Sequence, residues 1–436
     1  MNPKITVVSL VYNTPEAYLR QAIESVLNQT FTEFEYVIFN NGCTDNSPQI
    51  MAEYAAKDNR VRVVTFQGNI VYKGDAEFTE QCMSTIRQNM NQEYTCNLDS
   101  DDWYEPDFLE LAYNLAKKNS ADFVVGDFAL RLEGDLNVLE TRCCPVGVYN
   151  GNKEVVECWM GGYQALRSWW NKLFRSELIR RYWISRPADN GNATDNFMMH
   201  DIIGDSKVIA SIGKVTHNYR VRKGSDSLVL SSAAQLVIKH VKKYQHGLGI
   251  LKKLDGLQEQ NIEVLRSVFR GGIVIDDYGV LEKARDTSPV TVMETIEKTF
   301  TDSDVNEVFG GFANYPVYFD QFINLANYLY LQNYKEPAIA GSFMTVLSRI
   351  WVRTRSLTVV NKKDIEDFIR IVFDERNIKR VGQFKLADMF KSYKAPFPER
   401  LALLNGEVLL DDKFLKWIFS RNSTEIAKEL ADRKLI

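Results

Sequence analysis

Three carboxylates crowd into four positions at Asp99-Ser100-Asp101-Asp102, straight after a short apolar segment and ahead of Pro106. Oxygen-rich clusters of this kind hold hard divalent cations such as Mg²⁺ or Mn²⁺, and such ions keep positions open for substrate phosphates. A strand that ends in a carboxylate pair therefore points to a metal–diphosphate site and to a nucleotide-activated substrate. The competing reading is an acidic turn that caps the helix after it.

The elements that must position this cluster are legible around it. Residues 5–12 form a β-branched run without helical periodicity, which reads as a buried parallel strand. Thr14 and Pro15 are expected as N-cap and first residue of a helix reaching residue 28. A second strand is expected at 36–39, stopping at Asn40-Asn41-Gly42, then a helix over 45–58 and a third strand at 61–66. A fourth strand at 93–98 runs into the acidic cluster, a helix follows at 106–118, and another strand at 123–126. Strand and helix alternate from residue 4 to 130, the signature of a parallel α/β sheet. Ligands of such sheets bind beyond the carboxyl ends of the strands. Tyr12, Asn40-Asn41 and the residues from Asp99 to Asp102 all fall at strand ends, so they are expected to gather along one edge.

The chain has 436 residues, 45% hydrophobic and 25% charged, which is enough for two or three domains with full cores. Its net charge of −4 gives no general attraction to nucleic acid. The six cysteines, at 43, 82, 96, 143, 144 and 158, form no CxxC pair, so neither a zinc site nor a disulfide framework follows. Reduced thiols fit a cytoplasmic protein. The opening apolar run is too short for a signal peptide, and no stretch approaches the roughly 20 apolar residues of a spanning helix. A soluble, cytoplasmic chain is expected, with peripheral membrane contact left open. From residue 228 the texture changes to aromatic amphipathic segments at 315–334, 342–351, 364–373 and 414–419. These read as an all-helical second domain over 228–436, either a surface for homo-oligomerisation or a roof on the acceptor side.

Six pieces of sequence occur in a telling order. They are Ser9-Leu-Val-Tyr-Asn13, Ala22-Ile-Glu-Ser-Val-Leu-Asn-Gln-Thr30, Asn40-Asn-Gly-Cys-Thr-Asp-Asn-Ser47, Leu98-Asp-Ser-Asp-Asp-Trp-Tyr-Glu-Pro106, Trp170-Asn-Lys-Leu-Phe174 and Tyr219-Arg-Val-Arg-Lys-Gly-Ser225. On these pieces the N-terminal part resembles the family 2 inverting glycosyltransferases with the GT-A fold. The resemblance implies a GT-A domain over 1–227 with a mostly parallel, Rossmann-like α/β sheet. It also implies a UDP-sugar donor of glucose or galactose type, a Mn²⁺ or Mg²⁺ ion, and a hydroxyl of a glycan acceptor on a protein or lipid carrier.

The same resemblance assigns roles. Asp101 coordinates the metal directly, and Asp99 contacts the ribose or a metal-bound water. Tyr12 stacks on a pyrimidine, and Asn41 meets the base edge where the family usually has an acidic residue. Leu10 replaces a common proline or threonine, and Leu10, Asn13 and Ser100 complete the nucleotide-sugar set. Lys73 reaches the base or a phosphate, and Arg222 and Lys223 meet the diphosphate. Asp102, Trp170, Asn171 and Lys172 fall on the acceptor side. Inversion needs a carboxylate near the acceptor to take the hydroxyl proton. The family's base precedes a Tyr-Arg segment, and counting back 25 residues from Arg220 reaches Asp195, with Thr194 in place of the usual glutamate. Asp201 and Asp205 are the alternatives. The four histidines, at 200, 217, 240 and 246, make no ligand pair of useful spacing, and His217 reads as a core residue.

Two other readings compete. The departures at Asn40, Asn41 and Thr194 fit a catalytically decayed nucleotide-binding scaffold that assembles a glycosylation complex. A nucleotidyltransferase would need a Gly-rich basic loop after the first strand, which Asn13-Thr14-Pro15 is not.

Overall fold

The computed structural model describes residues 2–70, 76–183, 194–222, 233–283 and 302–311. Lys73, Lys223 and the aromatic segments from 315 onward lie outside the described residues.

The chain opens with β1 (Ile5–Val11), α1 (Glu16–Leu27), β2 (Phe34–Asn40), α2 (Ser47–Lys57) and β3 (Val61–Thr65). Then come α3 (Ala76–Gln88), β4 (Tyr94–Asn97), the short β5 (Trp103–Tyr104), α4 (Phe108–Asn119) and β6 (Phe123–Leu132). The strands β7 (Val138–Arg142) and β8 (Gly147–Asn150) precede α5 (Asn152–Gly161) and α6 (Tyr163–Leu166). The domain closes with β9 (Lys172–Arg175), α7 (Ser176–Tyr182), α8 (Thr194–Asp205) and β10 (Val208–Val221). Helices α9 (Ala233–Lys253), α10 (Glu259–Lys283) and α11 (Ser303–Val308) follow.

All ten strands join one sheet in the order β3-β2-β1-β4-β9-β6-β10-β5, with β7 added to β6 and β8 to β10. Strands β3, β2, β1 and β4 run parallel, as do β6 and β10. Strand β9 is inserted antiparallel between β4 and β6. The central strand β1 buries every residue except Leu10, which explains its unbroken apolar run: a strand covered on both faces has no polar side to alternate. Helix α1 turns Leu19, Ala22, Ile23 and Val26 inward. That spacing lays one stripe on the sheet, and each large side chain so buried contributes about 1.5–3 kcal/mol.

Thr14 does not cap α1. Pro15 occupies the cap position and no side chain closes the helix end. The Thr14 hydroxyl instead lies 2.6 Å from the Ser100 hydroxyl, 86 residues away in sequence.

Two compact units divide the described residues, one made of residues up to 222 with 245–262, the other of 233–244, 263–283 and 302–311. All six cysteines are free. Among the described residues no helix is long and apolar enough to cross a membrane.

Candidate active site

Parallel pairing sets the strand ends side by side. Val11 of β1 faces Asn40 of β2, and Val8 faces Asn97 of β4. The loops after β1, β2 and β4 therefore open on the same edge, as strand order predicts. Short hydrogen bonds tie them together. Asn13, at a left-handed φ of 46°, accepts from the Thr44 N–H at 2.8 Å and donates to the Thr44 hydroxyl at 3.0 Å. The Asn41 N–H donates to the Val11 carbonyl at 2.9 Å. Asn40 accepts from the Cys43 N–H at 3.0 Å, and Asn41 from the Ile70 N–H at 2.9 Å. Both asparagines are buried, so their carbonyl oxygens build the loop floor. Gly42 adopts φ +74°, and a Cβ there would stand 2.5 Å from the Gly68 backbone. Only glycine combines that φ with so close an approach. Tyr12 is half-buried on this edge, with Leu10 just before it.

The acidic turn divides its three carboxylates between two environments. Asp99 accepts from the Asn97 amide at 3.0 Å. Burial, then the charges of Asp102, Asp101 and Asp195, hold its carboxyl well above the usual range. Asp101 is partly exposed and forms an ion pair with Arg222, Nε to Oδ2 at 2.8 Å. Asp102 turns the other way. It is 1% exposed, contacts His217 Nε2 at 3.0 Å and accepts from the Arg220 N–H at 2.8 Å. Burial pushes the His217 imidazole down to about 3, so it stays neutral. Both Asp102 oxygens therefore serve to lock β10 to the turn, not to meet an acceptor.

Arg220 is a brace that residue patterning did not single out. Its Nε donates to the Asp101 carbonyl at 2.9 Å, and its guanidinium lies over Tyr18 at 4.0 Å and over Trp103 at 4.8 Å.

The acceptor-side expectation for Trp170, Asn171 and Lys172 is corrected. Trp170 stacks on His217 at 4.3 Å and meets Phe128 edge-on at 4.5 Å. Asn171 and Lys172 are fully buried. The Lys172 ammonium reaches the Ala165 carbonyl at 2.8 Å, the Ser168 carbonyl at 2.5 Å and Asn171 Oδ1 at 2.5 Å. Three donors meet three acceptors, so nothing remains for a sugar. Burial pushes the Lys172 pKa down to about 7.

Asp195 lies in the first turn of α8, where a helix N-terminus favours a carboxylate. Its charge acts on Asp99 and also on Lys172. The alternatives sit elsewhere on the helix. Asp201 contacts His246 Nε2 at 2.8 Å. Asp205 accepts from Arg181 at 2.8 Å and also engages Lys253 and Tyr182. Asp201 and Asp205, four residues apart, share one face of α8, and Asp195, six residues before Asp201, falls on another.

Asp99 and Asp101 form an oxygen set with more negative charge around it than Arg222 offsets, and a hard dication fits such a set. Among the described residues no group of three or more His, Cys, Asp or Glu is arranged to hold an ion unaided.

Comparison with known proteins bears on this geometry. Residues 6–182 match the glycosyl transferase family 2 sequence model. Glycosyltransferase GlyA of Streptococcus pneumoniae is 29% identical over 241 residues, 52% of this chain and 32% of GlyA. The putative glycosyltransferase EpsH of Bacillus subtilis is 26% identical over 264 residues, 60% of this chain and 73% of that protein. The chain thus spans about a third of the length of GlyA and about three quarters of EpsH. Among solved structures, S. aureus TarS 1-349 in complex with UDP-GlcNAc superposes with a TM-score of 0.45 at 16% identity, covering 88% of this chain and 93% of that one. Residues 6–182, which build most of a largely parallel α/β sheet, are thus similar to glycosyltransferase family 2.

Proposed function

We propose that the protein transfers a hexose from a UDP-sugar to a hydroxyl of a glycan acceptor, carried on a protein or a lipid, with inversion at the anomeric carbon. The observation that carries this reading is the grouping of Asp99, Asp101 and Asp195. Two strand-end carboxylates and a third from α8 sit close enough for the charge of Asp195 to raise Asp99.

Asp101 and Asp99 hold the Mn²⁺ or Mg²⁺ ion, which when bound neutralises charge on the departing diphosphate. Tyr12 offers a ring face to the base, beside Asn13 and the floor built by Asn40 and Asn41. Leu10 and Ser100 shape the same pocket. Arg222, paired with Asp101, is placed to exchange that carboxylate for a phosphate oxygen. Lys73 and Lys223 keep their expected phosphate roles. Asp195 takes the proton of the incoming hydroxyl, so the oxygen attacks opposite the leaving group and no covalent intermediate is needed. The C-terminal half is assigned self-association, which light scattering of the full chain tests.

The deciding experiment offers UDP-glucose, UDP-galactose and UDP-N-acetylglucosamine with Mn²⁺ and measures UDP release. Turnover that disappears in Asp101→Ala and in Asp195→Asn supports the reading. Tight UDP binding with no turnover of any donor would instead fit a decayed scaffold.

A further inference from the structure

We infer that Tyr163 is a positioning residue for the base: its phenol fastens the first turn of α8 and so sets where Asp195 stands. The inference rests on the reading of Asp195 as base.

Tyr163 opens α6 and is 4% exposed. Its hydroxyl donates to Asn196 Oδ1 at 2.9 Å and lies 3.2 Å from His200 Nε2. Asn196 is the neighbour of Asp195, and His200 stands about one turn further along α8. One oxygen thus grips the helix at two points just past the carboxylate. Burial holds the phenol above its ordinary range, so it stays protonated and remains a donor. With its proton on Asn196, the oxygen accepts from the His200 N–H.

Aromatic packing stiffens the clamp. Trp159 meets the His200 ring edge-on at 5.1 Å and stacks on Tyr163 at 6.4 Å. His246 stacks on His200 at 5.7 Å, with its Nε2 2.8 Å from Asp201 Oδ1.

The other end of the clamp is rooted in the sheet. The Ala165 carbonyl of α6 accepts from Lys172 Nζ at 2.8 Å and from Asn171 Nδ2 at 3.2 Å, and Asn171 also donates to the Gly126 carbonyl at 2.6 Å. The Asn-Lys pair at the start of β9 therefore acts on the reaction without touching a substrate. It anchors α6 to β6 and β9, α6 presents Tyr163, and Tyr163 holds α8. A connected chain of buried hydrogen bonds resists displacement, and a displacement of 1 Å at a reacting group can cost on the order of 100-fold in rate.

Tyr163→Phe removes only the hydroxyl. The donor is whichever of UDP-glucose, UDP-galactose and UDP-N-acetylglucosamine the wild type hydrolyses fastest with Mn²⁺. The expected result is a kcat lower by about 30-fold, with the donor KM within about twofold because the nucleotide side is untouched. Hydrogen exchange should accelerate by about tenfold in peptides covering 194–200 and stay unchanged in β1 and β4. Asn196→Ala breaks the same bond from the other partner and should reproduce both effects. The double variant should be no worse than the poorer single one. Unchanged exchange at 194–200 in both variants overturns the inference, as does a parallel change in kcat and KM. Full turnover in Asp195→Asn would overturn the base assignment instead. The exchange measurement judges the clamp even if no donor is hydrolysed.

Discussion

The turn from Asp99 to Asp102 and the segment from Trp170 to Lys172 carry the same kind of residues and meet opposite fates. Both combine charge with amide or hydroxyl groups, each has a tryptophan in it or next to it, and both lie close to strand ends. The first keeps Asp101 partly open, with Arg222 as its only ion-pair partner among the described residues. The second is closed: the Lys172 ammonium meets three oxygens and solvent meets none of it. Residue type says that chemistry is affordable in either place. What separates them is whether the polar groups are already satisfied from within. A partly exposed carboxylate with a single ion-pair partner can take a ligand, and a saturated buried ammonium can only hold the fold together.

The largest expected effect falls on the open region. Asp101→Ala should lower turnover by about 1,000-fold, the scale of losing several kcal/mol of charge stabilisation. Its melting temperature should stay within a few degrees. EDTA should reproduce that loss in the wild type and add nothing in the variant. Unimpaired turnover in Asp101→Ala would erase the contrast from that side.

The closed region predicts the reverse pattern. Lys172→Met takes the lysine donor from the Ala165 and Ser168 carbonyls and from Asn171 Oδ1, and should cost on the order of 3 kcal/mol in chemical denaturation. The donor KM of the folded fraction should not move. This difference should also depend on pH. The folded pKa of Lys172 is lowered from 10.5 to about 7, so between those values the unfolded chain binds more protons than the folded one. Wild-type stability then gains with rising pH across that window, a gain that Lys172→Met lacks. The variant should fall further behind between pH 7 and pH 10, and little further below pH 7. A gap that narrows with rising pH contradicts the assignment.

Arg222 tests the boundary between the regions. Arg222→Ala removes the countercharge of Asp101 and should weaken UDP binding by about tenfold, as loss of one charge-assisted contact does. Calorimetry would read it. An unchanged affinity would make Arg222 a brace like Arg220. The smallest effect belongs to Thr14→Val, which removes the hydroxyl contact with Ser100. About 1 kcal/mol of stability and a two- to threefold rise in donor KM are expected. A larger loss would mean that the turn depends on this one bond.

Much of the fold was legible in local pattern. The apolar runs of β1, β2 and β6 are read directly because buried strands have no polar alternation to hide them, and β3 and β4 fall where the sequence pattern places them. Strands β9 and β10 were not readable. Strand β9 has four residues and begins with a lysine, a type that almost never lies fully buried. Strand β10 runs 14 residues with register shifts between Ser211 and His217 that break its alternation. Helix α3 falls in a stretch where polar residues dominate the motif-poor sequence. The strand-end edge was legible because topology alone places it. The burial of Asp102, Asn171 and Lys172 was not, since partners 115, 45 and 7 residues away decide it. Thr14 looked like a helix cap for the same reason: local rules see Pro15 and Glu16 but not Ser100.

The contact between Gly42 and Gly68 limits how this pocket can evolve. A methyl group at position 42 would drive the two loops apart, so their spacing is fixed by backbone meeting backbone. If the proposed donor site is correct, drift toward another nucleotide would have to be written in side chains such as Tyr12, while the gauge of the slot itself stays constant.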